Sequence, residues 1–354
     1  MKRPMYPSRP IAACLLALLS AMLVAGVASA RPNGLGDNIV RPGESIQAAV
    51  DAAKPGDTIV VKKGLYHETV FIEKDGISLR GVKAVLEPPT EPTSPCGPSG
   101  FCVLGDVDFN TGEVTEYVED VSISGFTIRN FEENGIIAVG AQDAKFMKNR
   151  AFDNHEYGIA AFSSTGTKMI SNVTSGSDDA GLYVGDHPQA QATVAANETY
   201  DNFLGVLVRN ALHGKIVGNQ VHDNCVGMFF LADAPGPAGE FDVKGNKVNH
   251  NTRACPAFEE APPLSGVGIA LLGAQGMEIE GNQILDNVPS GPTGFSGGVV
   301  VISGFAGTAP TDNTVIGNTI LRNEPDIFWD ETGTGNRLTP NNCETSEPEG
   351  LCKR

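Results

Sequence analysis

The sequence predicts an all-β chain wound as a single parallel β-helix solenoid. Three observations carry that reading. A unit of the form Asn-x4-Asn recurs at Asn149/Asn154, Asn172/Ser177, Asn197/Asn202 and Asn219/Asn224, and again at Asn246/Asn251, Asn282/Asn287, Asn318/Asn323 and Asn336/Asn341. A glycine and a short apolar run follow each unit, as in Gly158-Ile-Ala-Ala, Gly181-Leu-Tyr-Val, Gly205-Val-Leu-Val and Gly227-Met-Phe-Phe. The runs are too short for helices and are bounded by Gly and Asn, so they read as strands. A period of twenty-odd residues then means coils that stack on one another. Asn suits the corners, because it tolerates left-handed backbone and its amide can bond along the stack.

The elements follow in order. Residues 1–30 combine a basic start, an apolar run from Ile11 to Val27 and the small-residue end Ala28-Ser29-Ala30. This is the pattern of a secretory signal peptide cleaved after Ala30, which implies a secreted or periplasmic protein. No later segment is long and apolar enough to span a membrane. Residues 31–40 read as a leader. Residues 44–53 predict a short helix that covers the apolar end of the solenoid, with Pro55-Gly56 stopping it. The β-helix runs over 41–332. Residues 87–116, with Pro88, Pro89, Pro92, Pro95 and Pro98, break the repeat as an insertion loop. Residues 333–354 form a tail over the C-terminal end.

The formal net charge is −17 over 354 residues, and it becomes more negative once the signal peptide, with Lys2, Arg3 and Arg9 and no acid, is gone. That excludes nucleic acid as a partner and disfavours any polyanion not bridged by a metal ion. Six cysteines remain beyond the signal, and an even count in an exported chain predicts disulfides. Proximity pairs Cys96 with Cys102, Cys225 with Cys255 and Cys343 with Cys352.

The opening coils carry Ser45-Ile-Gln-Ala-Ala-Val, Lys54-Pro-Gly-Asp-Thr-Ile-Val-Val, Gly64-x-Tyr66-x-Glu68 and Gly76-Ile-Ser-Leu-x-Gly81. Residues 39–86 thereby resemble the start of pectin-lyase-like proteins, including pectin methylesterases and the periplasmic accessory proteins of nitrous-oxide reductase. The resemblance implies a right-handed parallel β-helix and, at the level of the fold, work on an extracellular polysaccharide. The Gln-Asp-Thr block of pectin methylesterases, the Gly-His-Gly block of polygalacturonases and the Trp-Ile-Asp-His block of pectate lyases are all missing.

Columns of the repeat supply the candidate site. His155 and Glu156 fall at the same offset as Asp178 and Asp179, and Glu132 and Glu133 lie nearly there in the preceding coil. Carboxylates stacked about 4.8 Å apart repel by about 3–4 kcal/mol at an effective dielectric of about 20. Either the corner is solvated, or it holds a cation, or two of its carboxyl groups form an acid/base pair. On the second reading Glu156, Asp178 and Asp179 would ligate Ca²⁺. Beyond the next strand, Tyr183, Asp186 and His187 precede Arg209, at the end of the following strand. Tyr-x-x-Asp-His loosely resembles the Tyr-x-x-Asp-Pro-His arrangement of alginate C5-epimerases. That resemblance implies a cation-assisted uronate lyase or epimerase in which Tyr183, Asp186, His187 and Arg209 face the substrate.

Other readings stay open. The apolar runs do not alternate, so their outward column of Ile137, Ala160, Tyr183, Leu207, Phe229, Ala270, Val300 and Phe328 needs covering. Loops, a polysaccharide, a protein partner or a second copy of the chain would each do so. A non-catalytic binding protein using this face is therefore the main alternative. A copper-accessory role ranks third, since the six His are scattered and Met is sparse.

Overall fold

The computed structural model describes residues 38–91, 94–108, 111–233, 236–257 and 262–352. The expected signal peptide and the expected leader up to residue 37 lie outside the described residues. The last leader residues enter the solenoid, because Ile39–Val40 pairs with Val60–Val61.

Nearly every strand pairs in parallel with its equivalent one coil on. One face, here the front sheet, stacks Phe101–Leu104, Ile136–Val139, Ile159–Phe162, Ala180–His187, Leu204–Val217, Val226–Leu231, Val267–Leu272, Gly297–Ile302 and Ile327–Trp329. The back is built from shorter strands such as Lys145–Met147 and Arg150–Phe152, each repeated in the next coil. A single core fills the tube, running from Ile46 and Ile59 through Met228 and Phe230 to Ile320. Among the described residues, no helix is long and apolar enough to cross a membrane.

The asparagines bond along the stack as expected, but the left-handed corner is taken by the residue before the asparagine, as at Lys148, Ser171 and Ala196. Asn172 Oδ1 accepts the backbone N–H of Asn149 at 3.0 Å, and Asn197 Oδ1 accepts that of Asn172 at 2.8 Å. Each Nδ2 donates to a carbonyl of the coil behind, as Asn172 does to Phe146 at 2.8 Å. These side chains are buried, so each satisfied amide removes a cost of about 1–3 kcal/mol that an orphan would carry. Burial also puts the glycosylation-like Asn172 and Asn197, each 1% exposed, inside the coil. In the last coil the register differs from the spacing. Asn341, not Asn336, continues the column of Asn318, while Asn336 stacks on Asn313.

The helix is Ile46–Ala52 and buries Ile46 and Val50. Ser45 caps it, and the Glu68 carboxylate accepts the N–H groups of Ile46 and Gln47. A carboxylate at a helix N-terminus is electrostatically favoured. Residues 87–116 are not one loop. Phe101–Leu104 is a strand of the front sheet, and Asp106–Asp108 with Glu113–Glu116 forms an antiparallel hairpin. The prolines interrupt the chain only before Phe101. The three disulfides join Cys96–Cys102, Cys225–Cys255 and Cys343–Cys352, with Cα–Cα distances of 5.9, 6.0 and 5.2 Å.

Candidate functional site

The outward column of the front sheet runs as the alternation requires: Ile137, Ala160, Tyr183, Leu207, Phe229, Ala270, Val300 and Phe328 are successive partners. Its middle is closed by the chain itself. Leu207, Phe229, Ala270 and Val300 form a second core with Leu264, and Phe295 and Phe305 pack onto it. Phe229 is 1% exposed and stacks on Phe295 at 6.4 Å. The segments that supply this cover are laced together. Cys255 and Leu264 exchange backbone hydrogen bonds, Gly294 donates to Pro263, and the Cys225–Cys255 disulfide pins the first segment. This stretch therefore offers no face to a protein partner, a second copy or a sugar. Loop cover is what occupies it.

At the N-terminal end a separate small cluster of Cys102, Leu104, Val107 and Val139 covers the sheet. The two clusters meet over the coils of Ala160 and Tyr183, whose side chains are 0% and 1% exposed, with Ile137 and Phe162 packing against both. Tyr157 and Phe162 are half-buried at this junction, here called the saddle. Its floor is aromatic. Tyr157, Phe162 and Tyr183 pack on one another with centroids 4.4–5.7 Å apart.

Charged groups collect at the C-terminal ends of the strands here. Gly185 follows Tyr183, and a Cβ there would collide with the Tyr183 hydroxyl. The glycine thus lets the phenol lie over the strand and donate to Asp186 Oδ2 at 2.9 Å. Asp186 holds φ 60°, a left-handed corner that Asp tolerates. Arg209 replaces an apolar residue in the column of Phe162, Gly185, Leu231 and Leu272. It donates to Asp233 at 3.0 Å and stands 4.0 Å from Asp186. Burial opposes its charge, but Tyr183, Asp186 and Asp233 outweigh that and hold its pKa above the usual guanidinium value. Burial, then Asp186, raises the Tyr183 hydroxyl well above the usual phenol range.

His187 turns to a different partner. Its Nδ1 accepts the N–H of Gln189 at 3.0 Å, and its Nε2 lies 2.9 Å from the hydroxyl of Tyr117. An accepting Nδ1 leaves the ring proton of the neutral imidazole on Nε2, where it is donated to Tyr117. Burial lowers the pKa of His187. Gln189 Nε2 then contacts His213, which pairs with Glu240 at 2.9 Å. Polar side chains thus run from coil to coil along the margin of the saddle.

Tyr183, Asp186 and Arg209 are therefore brought together, with His187 next to them on a separate bond. Tyr183 is 1% exposed. It orients Asp186 and does not itself face a substrate. Sequence reasoning missed Tyr117, Tyr157, Phe162 and Asp233. Tyr117 sits outside the repeat, and Asp233 lies beyond its strand, so column alignment reaches neither.

The opposite margin carries the acidic column. The N–H of Glu156 donates to the carbonyl of Glu133, and that of Asp179 to the carbonyl of Glu156, so the three stack in successive coils. The Tyr157 hydroxyl bonds Asp179, and burial followed by that carboxylate raises its pKa well above the phenol range. Asp178 turns outward to His155 Nδ1 at 2.8 Å, in a pair exposed on both sides. Glu156, Asp178 and Asp179 do not converge. Among the described residues, no group of three His, Cys, Asp or Glu side chains is arranged to hold a metal ion. The expected Ca²⁺ ligand set does not fit, and the dispersed histidines give copper no cluster either.

Comparisons with known proteins agree on architecture. A family model described as "Right handed beta helix region" matches residues 96–236. A search of curated proteins finds no match to this chain. Among solved structures, a variant of the periplasmic alginate epimerase AlgG superposes with a TM-score of 0.58 at 13% identity, covering 88% of this chain and 80% of that one. A Geobacillus virus E2 protein gives 0.56 at 12% identity, covering 84% of this chain. This chain spans only 56% of that viral protein's length. The DFA-IIIase of Arthrobacter chlorophenolicus A6 gives 0.51 at 12% identity, with coverages of 85% and 93%. Identities this low speak for the fold alone, and on that the sequence, the coil pairing and the comparisons agree: the chain is a right-handed parallel β-helix.

Proposed function

We propose that this protein binds and acts on an extracellular glycan seated on the saddle of the front sheet. The observation that carries the reading is the aromatic and charged cluster at the junction of the two covers. There half-buried Tyr157 and Phe162, packed on buried Tyr183, meet Asp186, Arg209 and the Tyr117–His187 pair. Aromatic faces beside a few convergent polar groups are the ordinary composition of a small-molecule or sugar site. Export is part of the reading, supported by the signal-like N-terminus and three disulfides. Two of the fold neighbours are named for work on sugars, an alginate epimerase and DFA-IIIase.

Arg209 favours a second, finer reading, a uronate lyase or epimerase. A sugar carboxylate set against Arg209 would have its enolate stabilised as the proton on the adjacent carbon leaves for Asp186. Tyr117, hydrogen-bonded to His187, would return a proton to the opposite face to complete epimerisation. Loss of the β-substituent with the bonding pair of electrons would instead give an unsaturated sugar. These steps draw on Arg209, Asp186, Tyr117 and His187, and give Glu156, Asp178 and Asp179 no part.

The test is a panel of polyuronates and neutral glycans incubated with the protein in heavy water, with products read by mass spectrometry. Modification of one glycan, reduced at least about 100-fold in Asp186→Asn and Arg209→Gln, is the expected result. Deuterium uptake or unsaturated products select the uronate chemistry. Hydrolytic products keep the glycan and discard that chemistry. A panel left untouched, or variants as active as the parent, overturns the assignment of activity and leaves a binding protein.

A further inference from the structure

The outward column opens at its far end, beyond the covered stretch. Phe328 is its last apolar member, and it is only half-buried. It pairs with Glu347 of the tail on one side and Val300 on the other. A cleft of about 770 Å³ sits here, with Phe328, Ile302 and Phe295 among its lining residues. That volume falls in the range of known small-molecule sites.

The polar lining has one character. The Ser296 hydroxyl is spent on the Glu324 carbonyl at 2.6 Å, and that of Ser303 on Thr332 at 2.9 Å. The Thr293 hydroxyl is spent on the carbonyl of Phe295. Asp330 accepts the N–H of Ser303 and two bonds from Thr332. The exposed carboxylates of Glu324 and Glu347 complete the rim, and the lining includes no Lys, Arg or His. The cleft therefore presents hydrogen-bond acceptors above an aromatic floor. An anionic ligand finds no counter-charge and few donors. A ligand with many hydroxyl donors and one apolar face finds both complements.

We propose that this cleft is a second binding site, separate from the saddle, for an uncharged hydroxyl-rich sugar that lies on Phe328 and donates to Glu324 and Glu347. It does not depend on the activity assigned to the saddle.

The chain carries its own reporter. Trp329 is the single tryptophan and adjoins Phe328. Its indole N–H donates at 3.0 Å to the carbonyl of Thr332, the residue bonded to Ser303 and Asp330. The experiment is a fluorescence titration of the full chain with neutral gluco-, manno- and fructo-hexasaccharides, beside a hexauronate. The expected result is a saturable change in Trp329 emission with a neutral sugar and none with the hexauronate. Phe328→Ala should weaken that binding about tenfold or more. Glu347→Ala, at an exposed position that leaves the fold alone, should weaken it severalfold. Asp186→Asn should leave it unchanged, which separates this site from the saddle. No response to any neutral sugar overturns the proposal. So does an equal response to the hexauronate, or a response indifferent to both Phe328→Ala and Glu347→Ala.

Discussion

Two stretches of one column separate stability from function in this molecule. Leu207, Phe229, Ala270 and Val300 lie outside the tube yet are as buried as the residues inside it. Tyr183, two places earlier than Phe229 in the same column, is also buried, but its hydroxyl leads to Asp186 and Arg209. The covered stretch is apolar on both faces because its loops make it a second core. The saddle departs from that rule by one charged side chain, Arg209, and by the glycine that lets Tyr183 lie flat. A solenoid repeats its geometry, so a site must be marked by what interrupts the repeat.

Substitutions can break this contrast. The largest effect is expected from Phe229→Glu, which puts a carboxylate without a partner into the covered stretch. It should unfold the chain or strip the loops from the sheet, read as loss of the cooperative thermal transition. Phe229→Ala should cost about 3–5 kcal/mol in urea denaturation and leave glycan binding at the saddle intact. A stable Phe229→Glu protein that has lost only a binding partner would restore the reading of an exposed interaction face. Next comes Asp233→Ala. Asp233 is fully buried against Arg209 at 3.0 Å, and leaving that guanidinium with less compensation should cost about 3–5 kcal/mol.

Tyr183→Phe sharpens the comparison from the other side. It removes one hydrogen bond to Asp186, so stability should fall by only about 1 kcal/mol. Activity on the glycan should fall further than stability, through a lowered kcat with KM little changed, because the loss is in the aim of Asp186.

The smallest effect concerns pH. His187 has its pKa lowered by burial. Its neutral form is thus favoured in the fold, and the unfolded chain binds the proton more readily. The stability it contributes is complete above about pH 6.5, the ordinary histidine value, and is lost as pH falls from there through the folded value. His187→Gln should flatten that part of the stability curve.

Much of the fold was legible because its signal repeats. The asparagine spacing, the outward column and the three cysteine pairs each follow from periodicity or proximity. What was illegible lies off the period. Phe101–Leu104 hid behind a cluster of prolines that suggested a loop throughout. The final Asn336 and Asn341 continue the columns of Asn313 and Asn318, because the step from Asn318 to Asn341 is 23 residues, as it is from Asn149 to Asn172. In the site, Tyr183, Asp186 and Arg209 share one margin of the saddle, and alignment of coils places them. Tyr117 comes from the hairpin region before the regular coils, and its bond to His187 exists only in three dimensions. The acidic column illustrates the limit in the other direction. Equal offsets stack Glu133, Glu156 and Asp179, but Asp178, in the bend before the strand at Ala180, pairs outward with His155 and leaves the set.

The central claim is that a glycan occupies the saddle and not the covered stretch. Hydrogen exchange followed by mass spectrometry, on the full chain with and without the glycan chosen by the panel, tests it most directly. The account predicts added protection over residues 157–162, 183–189 and 209–213, and no change across 226–231 and 264–272. Protection centred on the covered stretch, or loosening of its loops as the glycan binds, would contradict it.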